Sequence, residues 1–310
     1  MEGIYKSIKF DSKFIGLCYG TLAFTAWGFL PLYWKLLATI PAEEILAHRI
    51  LWSFVFVSGI LFYSGNWNNL KQVLKNRNNL LTIFLCSVFI SINWFTYIWA
   101  INSRHVVEAS MGYYINPLFV VFLGITVLKE KITFWQTIAL IIAATGVVII
   151  TVQYGKVPWI ALVLATSFGI YGLLKKVLKV DSVLGLALET AFITPAALAF
   201  ILLKQMSGTG AIGVVSLSTT TLLMGSGVAT ATPLLWFARG AQRIELSSIG
   251  FLQYISPTIS LLLGVFVFKE AFTRVHLFSF GFIWAALMVY SWSTFGRKKN
   301  ARPEALASLR

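Results

Sequence analysis

Charge is what this sequence has least of. Only 12% of its 310 residues are Asp, Glu, Lys or Arg, against 58% that are apolar, and a chain folded in water could not cover itself with so few charges. That excludes a soluble enzyme or binding domain. Cysteine is nearly missing too: Cys18 and Cys86 both fall in apolar runs, where a thiol behaves as a small hydrophobe, so no disulfide framework is implied. Metal-ligand spacings are lacking. His105 and Glu108 stand one helical turn apart, but as a single His-first pair without a second copy. There is no Walker loop, which leaves ATP-driven transport by this chain unsupported. Nor does an Ala-x-Ala cleavage site follow the first apolar run, which is too long for a signal h-region and reads as a retained span. No cofactor is expected.

What is present instead is a series of long uncharged runs: 21 residues at 14–34, 26 at 78–103, 24 at 132–155 and 23 at 246–268. Each is long enough to cross ~30 Å of hydrocarbon as a helix. Marking breaks by charge, Pro, Gly and Asn gives ten spans, centred near residues 24, 53, 91, 118, 142, 166, 193, 227, 257 and 284. The expected fold is an all-α membrane protein of ten transmembrane helices. Its connectors are short, and 67–78 and 205–213 read as the sizeable polar or Gly-rich breaks. Gly208, Gly210 and Gly213 match G-x-G-x-x-G, yet without the strand and helix of a dinucleotide site they read as a connector. Gly16 and Gly20 read as a close helix-packing face.

The formal net charge of +14 does not point to nucleic acid, because the cations are scattered over short loops rather than lining one face. They fit the positive-inside rule better. In a ten-span topology eighteen Lys and Arg fall on the side of both termini and six on the other, with Arg49 inside the second span. Lys175 is counted here among the loop cations. Both termini are therefore expected in the cytoplasm.

Sliding the chain by 140 residues places Tyr114, Ile115, Pro117, Leu123, Gly124, Val127, Lys129, Glu130 and Thr133 on Tyr254, Ile255, Pro257, Leu263, Gly264, Val267, Lys269, Glu270 and Thr273. A shift of 141 sets Thr25 and Gly28 on Thr166 and Gly169, and His48 opposite Glu189. An odd number of spans per copy turns the second copy over in the membrane. The expected layout is a tail 1–13, repeats 14–155 and 156–296, and a basic tail 297–310. Inverted repeats recur in secondary transporters, with substrate between the halves and access alternating between faces. A pore or a non-transporting scaffold is the alternative, and an intramembrane enzyme a third.

Matching Pro or Gly interruptions in two halves point to such a site, which singles out Pro117 and Pro257 as helix breaks, with Tyr114, Asn116, Gln253 and Tyr254 around them. Packing kinks are the plainer reading. Ionisable groups inside a bilayer are functional candidates. Arg49 beside His48 could anchor a substrate carboxylate or sit in a buried pair, and Glu189 could bind a cation or couple protons. Glu108 reads as interfacial, or else as lying at a cavity mouth. In the third span Asn93 and Tyr97 share a face, with Asn102 further along. They suit an amphipathic or aromatic ligand, or else packing. The partners expected are a small-molecule substrate and the lipid bilayer, with a homodimer left open.

The segments PAEEILAHRILWS at 41–53, NWFTYIWAIN at 93–102, EASMGYYINPLF at 108–119 and GFLQYISPT at 250–258 resemble the RarD branch of the EamA-type drug/metabolite transporters. The resemblance implies a bacterial inner-membrane carrier of two inverted five-span repeats around a central cavity, exporting or exchanging small organic solutes. Lys269 departs from the Gly that similar sequences often carry there.

Overall fold

The computed structural model describes residues 2–65, 67–103, 105–269 and 274–307. It consists of helices joined by short turns, with no strand among the described residues. The helices are α1 (Glu2–Lys35), α2 (Ala42–Ser64), α3 (Trp67–Lys75), α4 (Arg77–Asn102), α5 (Val106–Thr126), α6 (Phe134–Tyr154), α7 (Trp159–Val177), α8 (Ser182–Met206) and α9 (Leu217–Ala241). α10 (Leu246–Gln253) and α11 (Ile255–Leu262) follow, then a π-helical turn (Leu263–Val267) and α12 (Arg274–Ala307). Nine segments among the described residues are long and apolar enough to span a membrane. Where a tenth was expected, the apolar run Leu277–Ser293 is shorter. The α10–α11 pair with its π turn makes up a single segment, Leu246–Val267.

Polar side chains stop the helices where they leave the apolar region. Asp181 accepts from the amides of Val183 and Leu184 at the start of α8, Ser216 accepts from Thr219 at the start of α9, and Thr133 with Gln136 forms a capping box on α6. α3 was expected as a polar break. It is instead a short amphipathic helix in which Leu70 and Val73 turn to the core while Lys71, Gln72, Leu74 and Lys75 stay exposed, the pattern of a helix lying in an interface.

Lipid removes the hydrophobic drive between helices, so close packing at small residues takes over. A Cβ on Gly227 of α9 would lie 2.2 Å from the Trp52 backbone of α2. Gly240 of α9 seats against Gly16 and Gly20 of α1, where a Cβ would come within 3.0 Å of the Gly20 amide. α1 packs on α9 and on α10–α11, and α7 packs on α4 and α5. α2 packs on α8 and α9, α8 on α4, α5 on α10, and α6 on α12. Large apolar side chains such as Phe29, Phe62, Phe84, Leu202 and Met288 point outward, as a lipid-facing surface requires.

The helix ends gather on two faces. On the first, Lys13 pairs with Glu245, Lys176 donates to the Ile244 carbonyl, and Glu130 accepts from the amides of Leu246 and Ser247. On the second, Leu37 and Ile40 pack with Ala211 and Leu223, and Trp99 stacks on His105 and meets Trp159.

Candidate functional site

Two groups of charged and polar side chains lie inside the helix assembly, one toward each face. Toward the second face, Arg49 of α2 is flanked by two indoles: its guanidinium carbon is 5.2 Å from the Trp34 ring centroid and 4.7 Å from that of Trp94. Tyr97 and Tyr113, with ring centroids 6.0 Å apart, lie beside it. Among the described residues no carboxylate sits on the guanidinium, and its buried Nε has no hydrogen-bond partner. Tyr113 keeps 48% of its surface open.

His48, one residue earlier, is buried with both ring nitrogens unpartnered. It lines a crevice with Trp52, Ile212, Thr220, Leu223 and Met224. One turn before it, the buried Glu44 accepts from the Ala211 amide at 2.6 Å. That bond pins the 207–216 loop over the end of α2, so the Gly-rich connector is an ordered turn.

Toward the first face lies Glu189 of α8. Its Oε1 accepts from Lys175 of α7 at 2.5 Å and its Oε2 from Tyr171 at 3.4 Å. Both charged side chains are almost sealed, at 1% and 2% exposure, and Ser87 of α4 donates to the Glu189 carbonyl. Lys175 is thus a membrane-embedded partner of Glu189, which corrects its placement among the loop cations. The sequence signal available was the apolar character of 159–174, which carries the helix on through Lys175.

The other expected residues divide between packing and open capacity. Asn93 donates to the Leu164 carbonyl and to Ser167, which ties α4 to α7. Tyr254 donates to the Tyr114 carbonyl at 3.3 Å, tying the α10–α11 break to α5. Asn116 Oδ1 and both amide atoms of Gln253 are buried without partners. The Asn102 side chain lies outside the described residues. α5 runs unbroken through Pro117, whose carbonyl approaches Gly250 of α10, whereas in the second half the helix breaks at Tyr254, three residues before Pro257. Glu108 is buried near the helix ends, accepting from Tyr154 at the end of α6 and from the Ile160 amide at the start of α7. Trp34, Trp94 and Glu44 were not anticipated. The aromatic surround of Arg49 needs four helices, α1, α2, α4 and α5, brought together, which one-dimensional spacing does not reveal.

A polytopic helix assembly with unpaired polar groups in its interior and no metal-ligand cluster among the described residues fits the class of membrane transport proteins. The EamA-like transporter family model matches residues 14–152. YojE of Bacillus subtilis, an uncharacterised transporter, is 48% identical over 293 residues, covering 93% of this chain and 97% of that one. Protein RarD of Streptomyces exfoliatus is 40% identical over 294 residues, covering 94% and 93%. A solved crystal structure aligns with 88% of this chain and 96% of its own at a TM-score of 0.67 and 18% identity, a likeness of fold alone. The chain belongs to the RarD branch of the EamA-like transporters.

Proposed function

We propose that this protein is a secondary transporter of small organic metabolites or drugs, built from two inverted five-helix repeats that expose a central site to each face in turn. The observation that carries this reading is a difference between equivalent residues. Tyr113 and Gln253 correspond at a shift of 140, yet Tyr113 is 48% open and Gln253 only 5%. Alternating access leads equivalent positions of the two copies to differ in exposure at any one moment.

The packing supports the same reading. Matching α1, α2, α4, α5 and α6 to α7, α8, α9, α10–α11 and α12 carries the most extensive helix contacts onto one another: α1 on α9 becomes α7 on α4, and α5 on α7 becomes α10–α11 on α1. Gly28 meets Ile259 as its counterpart Gly169 meets Phe119. Lys129 and Lys269 share a positive φ, 54° and 58°, and the i to i−5 bond from Leu128 to Leu123 recurs from Phe268 to Leu263. On this basis 277–293 is the tenth span, and the bias of Lys and Arg to one side then puts both termini in the cytoplasm, as a reporter fused after Arg310 would register. The domain division at 155–156 follows from the same correspondence.

Counterflow in proteoliposomes loaded with a metabolite panel tests transport itself. A carrier shows saturable exchange that is accelerated by substrate on the opposite side. Flux that is linear in concentration and shows no counterflow would establish a pore instead.

A further inference from the structure

We infer that the cargo is an organic anion with a flat apolar part, its carboxylate or similar acidic group held by Arg49 and its ring or chain lying among Trp34, Trp94, Tyr97 and Tyr113. The inference rests on the transporter reading and names its substrate class. An arginine stays charged in protein interiors, and a charge within the bilayer needs a counter-charge. The two interior sites differ in this respect. Glu189 has its opposite charge, because Lys175 occupies one oxygen and Tyr171 the other, so it offers no vacancy to a cationic cargo. Arg49 has aromatic faces but, among the described residues, no anion.

Neighbouring carboxylates are committed elsewhere. Glu44 holds the Ala211 amide, and Glu108 holds Tyr154 and the Ile160 amide. A stacked guanidinium keeps its planar donor edge free for two-point binding of a carboxylate. The aromatic walls supply apolar contact to the rest of the ligand, and the open ring of Tyr113 marks where it enters. A neutral ligand would leave the cation unpaired, and a cationic one would meet repulsion.

The test uses the full chain in nanodiscs, titrated with phenylacetate, phenylacetamide and 2-phenylethylammonium and read by quenching of tryptophan fluorescence. The expected result is a saturable response to phenylacetate, with the amide and the ammonium at least about tenfold weaker. R49Q should weaken phenylacetate binding by roughly tenfold to a hundredfold, the range of a hydrogen bond to a charged group, and R49K should recover part of that loss. Should R49Q fail to fold, W94L, which keeps the charge, should weaken phenylacetate more than acetate. No response to phenylacetate, equal responses to all three probes, or unchanged binding in R49Q would overturn the inference. Counterflow of the same probes separates the two readings. Arg49-dependent binding of the anion without exchange would refute transport and keep the site, whereas exchange of cations or neutral solutes alone would keep transport and refute the anion.

Discussion

At the scale of single residues, the two lysines with positive φ carry a direct expectation. A non-glycine residue in the left-handed region costs roughly 1–2 kcal/mol, part of which glycine would forfeit through its freer unfolded chain. K129G and K269G should each raise thermal stability by up to about 1 kcal/mol, and the equal signs would reflect their equivalent positions. The Lys175 and Glu189 pair makes a stronger demand. Removing one partner of a sealed pair strands the other, at a cost of roughly 3–5 kcal/mol. K175M alone should therefore destabilise severely in a detergent melt, and K175M/E189Q should recover most of the loss. Lys13 and Glu245, each about half exposed, are a smaller case. Partial burial pushes the Glu245 carboxyl up, but the Lys13 hydrogen bond and charge outweigh it and hold it below the usual range. A depressed carboxyl stabilises above its unfolded value, ~4.3, and that contribution fades as pH falls through the folded value. E245Q should thus melt slightly below wild type at neutral pH, with the gap closing on acidification past that point.

At the scale of elements, the contact that joins α5 to α10 most economically is Glu130, just past α5, on the first amides of α10 at Leu246 and Ser247. A carboxylate at a helix N-terminus satisfies orphan donors and complements the dipole. The reach depends on Gly124, where a Cβ would lie 2.7 Å from Glu130 Oε2 and 3.0 Å from the Ser247 amide. E130A is expected to destabilise by about 2–3 kcal/mol, and G124A by a comparable amount even though it deletes nothing, both read by thermal unfolding. Most elements were legible in the sequence because a span announces itself by length without charge. α3 was not, since at nine residues it is too short to stand out by hydropathy. Only the alternation of Leu70 and Val73 with polar neighbours marks it. The break at Tyr254 was legible only approximately. Pro257 signals a disturbance, but which carbonyl is freed and where the helix parts depend on packing against α5. Its twin Pro117 sits in a continuous helix, so local sequence did not decide the matter.

At the scale of the whole molecule, internal comparison of the chain with itself told more than any motif. It paired Gly28 with Gly169 and Lys129 with Lys269 before geometry was known, and these pairs share contacts or backbone conformation. The candidate site was legible in part. His48, Arg49, Asn116 and Gln253 were named from the sequence and carry buried polar atoms without partners, whereas Asn93 is engaged in packing. Whether a polar residue in a span is spent on a neighbour or left for a ligand depends on what faces it across helices, as Lys175 does for Glu189. The central claim is that the two halves exchange conformations, and it is tested most directly at Tyr113 and Gln253. In a background lacking Cys18 and Cys86, Y113C and Q253C would be labelled with a membrane-impermeant thiol reagent from opposite faces, with and without transported substrate. The account predicts reciprocal reactivity: each condition that shields position 113 from its face opens position 253 to the other. Full reactivity of both positions at once, or of position 113 alone under every condition, would contradict it.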